Sequence, residues 1–484
     1  MLRTPANKQV LKRFISSSAS KGTSSMPAHG ANSAVATAAA AVELASAATS
    51  ASATAARNLH NRLVDPSKSP EFLKSLSAMD LLSTTAISAM TASPTLIKMS
   101  TKVMKYTPNP LIKQFVYPIY CGGESFQEVV DTGSRLQQRG FGNMMISYSV
   151  EDAEGSSSTS LLDNAVDEII ASVDQILVKH YDNSEAAYAS GISNQAPMAG
   201  YIALKPTGLM ANSATLLKNY NKPEYAEQWA AYLDTCRRIC QHTVDYAKGK
   251  AVIVFDAEKK VLQPGVYEAQ RVMMREFNKN GNVIVVGTIQ MYLQDAIAQL
   301  EHELADAKKH DYQLALKLVR GAYTHSEPDR WNVIHKTKAD TDASYNKGIS
   351  MMLDSIIDGW KNPGKGPLSN GLPLVGRVVV ASHNEESMSI VDRRLKEEVP
   401  HGTVDLAKEE SIVFGQLMGM AEDQGVALAA RGHKVIKYVP WGPTKETKEY
   451  LVRRLEENGD TVSIGGWEFV KYGLGEFARR AFKN

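Results

Sequence analysis

Short apolar runs alternate with longer amphipathic stretches along most of this chain. The runs with strand character are Phe141–Ser149, Tyr201–Leu209, Val252–Asp256, Val283–Ile289, Leu314–Val319, Val378–Ala381, Ile412–Leu417 and Val435–Val439. Stretches such as Leu161–His180, Pro223–Lys248, Gln294–Lys309 and Glu385–Glu398 carry the helical period between them. Eight β-runs, each followed by a helix, predict an α/β fold of the closed (β/α)8 TIM-like barrel type. An open doubly wound sheet is the competing architecture, but it usually brings a GxGxxG fingerprint, and none is present. Ahead of the barrel, residues 61–125 carry mixed helical signals, including Glu71–Met90, and several prolines. They predict a helical N-terminal extension, with the barrel occupying residues 126–484.

Polar residues gather where the predicted strands end. Lys205 follows one run, Asp256 and Glu258 the next, then Gln290 and Tyr292. Lys317, Arg320 and Tyr323 accompany the fifth run, His383 and Asn384 the sixth, and Tyr438 the last. In a barrel these C-terminal strand ends converge on one mouth, where catalytic groups sit. One charged strand end is unremarkable; so many together favour a shared site.

The last run leads through a Pro-Trp-Gly-Pro turn into a helix, with Thr444 as its candidate cap and Glu446 and Thr447 in its first turn. Tyr450, Arg453, Arg454 and Glu457 then fall at i, i+3, i+4 and i+7 and share a face. Two adjacent arginines beside a tyrosine suit bidentate capture of a carboxylate or phosphate. Arg–Glu pairs on a solvated helix are the bland alternative.

Bulk properties narrow the class. A formal charge of +2 argues against a general nucleic-acid binder. The three cysteines, Cys121, Cys236 and Cys240, offer no CxxC and predict no disulfide scaffold or zinc site. No metal-ligand motif is found, and Gly359–Gly366 imitates a phosphate loop without its terminal Ser or Thr. No run of 18 apolar residues occurs, so membrane contact would be peripheral. Residues 1–42 contain Arg3, Lys8, Lys12, Arg13 and Lys21 and no acidic residue. That Ser-rich, basic start predicts a mitochondrial presequence over 1–25, followed by an Ala/Ser-rich linker over 26–60.

The motifs LALKLVRGAY (314–323), VASHN (380–384) and YVPWG…YLVRRLEENG (438–459) resemble those of proline dehydrogenases, closest in appearance to mitochondrial, fungal-type members. The resemblance covers roughly residues 140–484. It implies an FAD-bearing barrel that oxidises L-proline to Δ1-pyrroline-5-carboxylate, the first step of proline catabolism. Electrons would pass to ubiquinone on the matrix side of the mitochondrial inner membrane. It assigns Arg453 and Arg454 to the proline carboxylate, with Lys205, Asp256, Tyr438 and Tyr450 also at the substrate. Gln290, Lys317, Arg320, Tyr323, Lys338, His383 and Glu457 fall at cofactor positions, and Thr341 and Asp342 lie in the same stretch as Lys338. Many bacterial relatives read RLVKGAY, so the two basic residue types at 317 and 320 are exchanged here; Lys317 is the first choice to face flavin N5. Tyr438 favours proline over hydroxyproline. Two other readings remain: an aldolase with Lys205 as a Schiff-base lysine, and a non-catalytic barrel protein.

Overall fold

A computed structural model of the protein describes residues 63–64, 72–149, 159–324, 326–406, 408–444, 447–448, 450–452 and 466–482. Contacts divide the chain after Asn61, and everything described lies in the second unit, Arg62–Asn484. The expected presequence and linker, and Arg453, Arg454 and Glu457, lie outside the described residues.

The eight expected strands form: β1 (Asn143–Tyr148), β2 (Gly200–Leu204), β3 (Ala251–Phe255), β4 (Val285–Gln290), β5 (Leu314–Val319), β6 (Val375–Ala381), β7 (Ile412–Leu417) and β8 (Lys434–Trp441). They pair in parallel in sequence order, and β8 closes against β1 along Asn143–Tyr148. The expected (β/α)8 barrel is therefore present. β5 and β7 have the bounds the pattern predicts. β2 is shorter than Tyr201–Leu209, because Pro206 has no N–H for a sheet ladder and starts a 3-10 turn instead.

The helices used below are, in chain order, α1 (Ala78–Met90), α2 (Pro94–Tyr106), α3 (Asn109–Phe115), α4 (Phe126–Gln138), α5 (Gln263–Phe277), α6 (Lys338–Lys361), α7 (Glu385–Glu398), α8 (Glu422–Ala430) and α9 (Gly466–Ala481). The expected Glu71–Met90 helix is split: a short turn at Phe72–Ser75 precedes α1, whose start is fixed by Ser77 Oγ accepting from the Asp80 N–H. The Leu161–His180 pattern is helical but includes a π-helical turn at Val173–Val178.

Side chains alternate across each strand. Met145, Tyr201, Ala203, Val252, Val254, Val286, Ala315, Val379, Val413 and Ile436 form one cluster inside the barrel. Their neighbours, including Ile146, Leu204, Phe255, Leu318, Val380, Phe414 and Val439, pack outward beneath the helices. At the end where strands begin, Arg377 donates to Tyr201 Oη and pairs with Glu410, closing the floor. The other end of the barrel is the mouth.

The N-terminal helical region packs onto the chain that follows β8. Tyr117 Oη donates to the Gly442 carbonyl, and Lys448 Nζ to the Thr107 carbonyl at 3.1 Å. At the far end of the chain, Arg480 of α9 donates to the carbonyls of Leu73 and Leu76. Gly473 brings α9 against α1 so closely that a Cβ there would lie 2.2 Å from Thr85 Oγ1.

Candidate active site at the barrel mouth

Asp256 is the first residue after β3, and its N–H still bonds the Leu204 carbonyl at 2.9 Å. Its two oxygens are occupied from opposite directions. Lys317 Nζ, inward-facing on β5, makes an ion pair with Oδ1, and Tyr438 Oη, inward-facing on β8, donates to Oδ2 at 2.8 Å. The Lys317 ammonium also sits 5.6 Å from the centre of the Tyr438 ring. Burial pushes the Tyr438 phenol well above the ordinary tyrosine pKa, and the Asp256 carboxylate adds to the effect. Tyr438 therefore keeps its proton at neutral pH and serves Asp256 as a hydrogen-bond donor.

A second group stands beside the first. Glu258, 7% exposed, accepts from Thr207 through both Oγ1 (2.8 Å) and N–H (3.3 Å). Its other oxygen accepts from Tyr323 Oη at 3.0 Å. Gln290, fully buried at the end of β4, donates to the Glu258 carbonyl at 2.8 Å and accepts from the Ala322 N–H at 3.0 Å. Lys205 opens the Pro206–Gly208 turn, which Tyr232 holds through the Pro206 carbonyl at 3.0 Å. The loop after β5 approaches Tyr292 so closely that only glycine fits at 321: φ is 155°, and a Cβ would fall 2.3 Å from the ring.

On the adjacent side, Arg320 pairs with Asp342 in the first turns of α6, and Lys338 reaches the same carboxylate at 2.6 Å. Arg320 also lies over the Tyr345 ring. His383 Nε2 accepts from the Leu417 N–H at 3.0 Å, which places the proton of the neutral ring on Nδ1. Asn384 caps α7 through the Ser387 N–H, a structural role.

The structure thus brings together Asp256, Lys317 and Tyr438, then Gln290 and Tyr323 around Glu258, and Arg320 with Lys338 through Asp342. Lys205 and His383 stand at neighbouring strand ends. Tyr450 is buried with Ile112, Tyr117, Tyr120 and Leu451 beneath the N-terminal helices, and its phenol bears on that of Tyr438. The expected cap is also corrected. Thr444 is itself helical, and the Thr447 N–H bonds the Pro443 carbonyl at 3.1 Å. The Thr444 hydroxyl donates to Glu124 at 2.6 Å, because that carboxylate from the N-terminal region takes it first. Hydrogen bonds from Lys113 and Thr444 hold the Glu124 pKa down at about 2.

Glu258 was legible only as one more polar strand-end residue; its spacing two residues past Asp256 was the available signal. Ala381 and Gly415 carried none. Gly415 of β7 packs against β6, where a Cβ on it would lie 3.1 Å from Val379 Cγ1 and 3.6 Å from Ala381 Cβ.

An eight-stranded parallel barrel with a cluster of charged and hydroxyl side chains at its C-terminal mouth is the architecture of a barrel enzyme. The model of the family described as "Proline dehydrogenase" matches residues 129–464. This chain belongs to the proline dehydrogenase family. It is 26% identical over 408 residues to "Proline dehydrogenase 1, mitochondrial" of Dictyostelium discoideum, covering 77% of this chain and 66% of that protein. To "Probable proline dehydrogenase, mitochondrial" of Schizosaccharomyces pombe it is 27% identical over 402 residues, covering 74% of this chain and 78% of the other. Among solved structures, proline utilization A from Bdellovibrio bacteriovorus shares the fold with a TM-score of 0.56 and 19% identity, over 75% of this chain and 34% of that one. The chain therefore spans about a third of that longer protein.

Proposed function

We propose that this protein oxidises L-proline to Δ1-pyrroline-5-carboxylate with FAD, and delivers the electrons to ubiquinone from the matrix side of the mitochondrial inner membrane. The observation that carries the reading is the Asp256–Lys317–Tyr438 group, set at the mouth of a barrel of this family.

The residues present fit a flavin. Arg320 Nη1 and Thr288 Oγ1 are buried without a hydrogen-bond partner among the described residues, and both can donate to a polar ligand. Gln290, Lys317, Arg320, Tyr323, Lys338 and His383 are the described residues assigned to hold the cofactor, and Glu457 joins them on its sequence motif. When bound, FAD supplies the hydride acceptor.

The chain's own residues bind and orient the substrate. Arg453 and Arg454 are assigned to the proline carboxylate by their motif, with Tyr450 at the base of the same helix. Tyr438 offers its ring as an apolar wall while its hydroxyl stays on Asp256. Lys205 and the Asp256 group set the electrostatics around the ring nitrogen, which must be neutral to release hydride.

Features away from the mouth support the membrane side of the reading. No helix among the described residues is long and apolar enough to cross a bilayer. Between Asp80 and Glu124 the sequence holds Lys98, Lys102, Lys105 and Lys113 and no acidic residue. Within that stretch, α2 exposes Met99, Val103 and Tyr106 beside Lys98 and Lys102. A basic helix with an exposed apolar stripe suits an anionic lipid surface. The basic, acid-free start of the chain supports mitochondrial import.

The test is an anaerobic absorbance spectrum of the FAD-loaded protein before and after L-proline. The expected result is bleaching of the flavin band by proline and not by hydroxyproline. A flavin band that proline leaves unchanged would reject the substrate. Failure to take up FAD, with a borohydride-trapped adduct on Lys205, would favour the aldolase reading instead.

A further inference from the structure

Glu258 lies outside the residues that the family resemblance assigns, yet its side chain and backbone together tie several parts of the mouth. One oxygen holds the turn after β2, through Thr207. The other holds the loop after β5, through the Tyr323 hydroxyl. Its N–H donates to Gln263 Oε1, at the start of α5, at 2.7 Å. Its carbonyl accepts from Gln290, whose other end holds the Ala322 N–H. The Tyr323 phenol thus lies between the Glu258 carboxylate at 3.0 Å and the Ala257 carbonyl at 3.1 Å, and Gln290 holds its loop at the Ala322 N–H.

Placing a carboxylate at such a buried point costs desolvation, whereas apolar packing could have tied the loops together without it. What the carboxylate adds is direction. It accepts from hydroxyls on two separate loops and so sets the orientation of the Tyr323 ring relative to the Lys205-bearing turn. Asp256, two residues earlier, is occupied by Lys317 and Tyr438 and cannot serve both groups.

We propose that Glu258 is a positioning residue that acts through Tyr323, holding two walls of the site in register so that substrate and flavin are gripped tightly. It sets affinity, not the hydride step. The proposal rests on the proline-oxidising reading of the same mouth.

The experiment compares Glu258→Ala, Glu258→Gln, Tyr323→Phe and the double variant Glu258→Ala/Tyr323→Phe in the full chain. Proline-driven reduction of a soluble dye gives KM and kcat, and quenching of flavin fluorescence gives FAD affinity. Glu258→Ala and Tyr323→Phe should each raise the KM for proline or weaken FAD binding about tenfold, with kcat within about threefold of the parent. Because both break one link, the double variant should be no worse than the worse single. Glu258→Gln keeps one accepting oxygen and turns its amide N–H to the other hydroxyl, which can accept in place of donating, so it should recover most of the parental affinity.

Multiplicative losses in the double variant would overturn the proposal. So would a Glu258→Ala protein that melts earlier but binds proline and FAD as the parent does. If Glu258→Ala does not fold, Glu258→Gln still decides, since an affinity as weak as that of Tyr323→Phe would also overturn it. A parent protein that proline does not reduce would reject the substrate reading alone; coupling between Glu258 and Tyr323 would then be read on FAD affinity.

Discussion

Asp256 holds two partners of unlike worth, and the difference can be measured. Lys317 is 5% exposed, so removing the carboxylate leaves a buried cation unpaired, at a cost of about 3 kcal/mol or more. Tyr438→Phe removes one hydrogen bond and should cost about 1 kcal/mol. Urea unfolding should therefore rank Asp256→Ala well below Tyr438→Phe in stability. The reverse order would mean that the ion pair adds little. The sequence showed all three residues against apolar runs, since Asp256 follows one, Tyr438 closes one and Lys317 interrupts one. It could not show that they meet. Which inward positions face one another across β3, β5 and β8 depends on the stagger of a closed barrel, and no single strand encodes that. Glu258 was obscured for a related reason, since its partners Thr207 and Tyr323 sit on loops whose paths only the fold determines.

At the scale of elements, periodicity served best where a strand is buried on both faces. Leu314–Val319 and Ile412–Leu417 are read to the residue, as is α7, which Asn384 starts with its side chain. It failed where tertiary partners override local preference, as at Thr444, whose hydroxyl goes to Glu124. A less visible element-level device lies behind β8. Lys437 faces outward, is fully buried, and donates to Gln416 Oε1 at 3.0 Å and the Met420 carbonyl at 2.9 Å, while pairing with Glu422 of α8 at 3.0 Å. Burial lowers its pKa, and the Glu422 carboxylate opposes that shift. The contacts fasten β7, β8 and α8 together one residue from Tyr438. Lys437→Met should destabilise the protein by about 3 kcal/mol, because Glu422 then stays buried without its closest cation. A denaturant midpoint equal to that of the parent protein would refute this.

For the molecule as a whole, the α2 face makes a prediction of its own. The full-length protein should float with vesicles containing an anionic lipid and not with neutral ones. Met99→Glu with Val103→Glu should abolish flotation, leaving the melting temperature and proline-driven dye reduction unchanged. Equal flotation by parent and variant would dismiss α2 as the contact. The barrel was legible in the chain's alternating pattern, whereas the part played by residues 72–125 was not, because short helices interrupted by prolines read as a mere extension. They are bound to the site. Tyr117 holds Gly442, Glu124 holds Thr444 and Thr107 holds Lys448, all in the chain just after β8. A protease cut that removed those helices would spare the barrel and strip the chain after β8 of its partners. The smallest heritable unit of this fold is accordingly larger than the barrel, and a transplant of the barrel alone into another protein would leave the support of its closing strand behind.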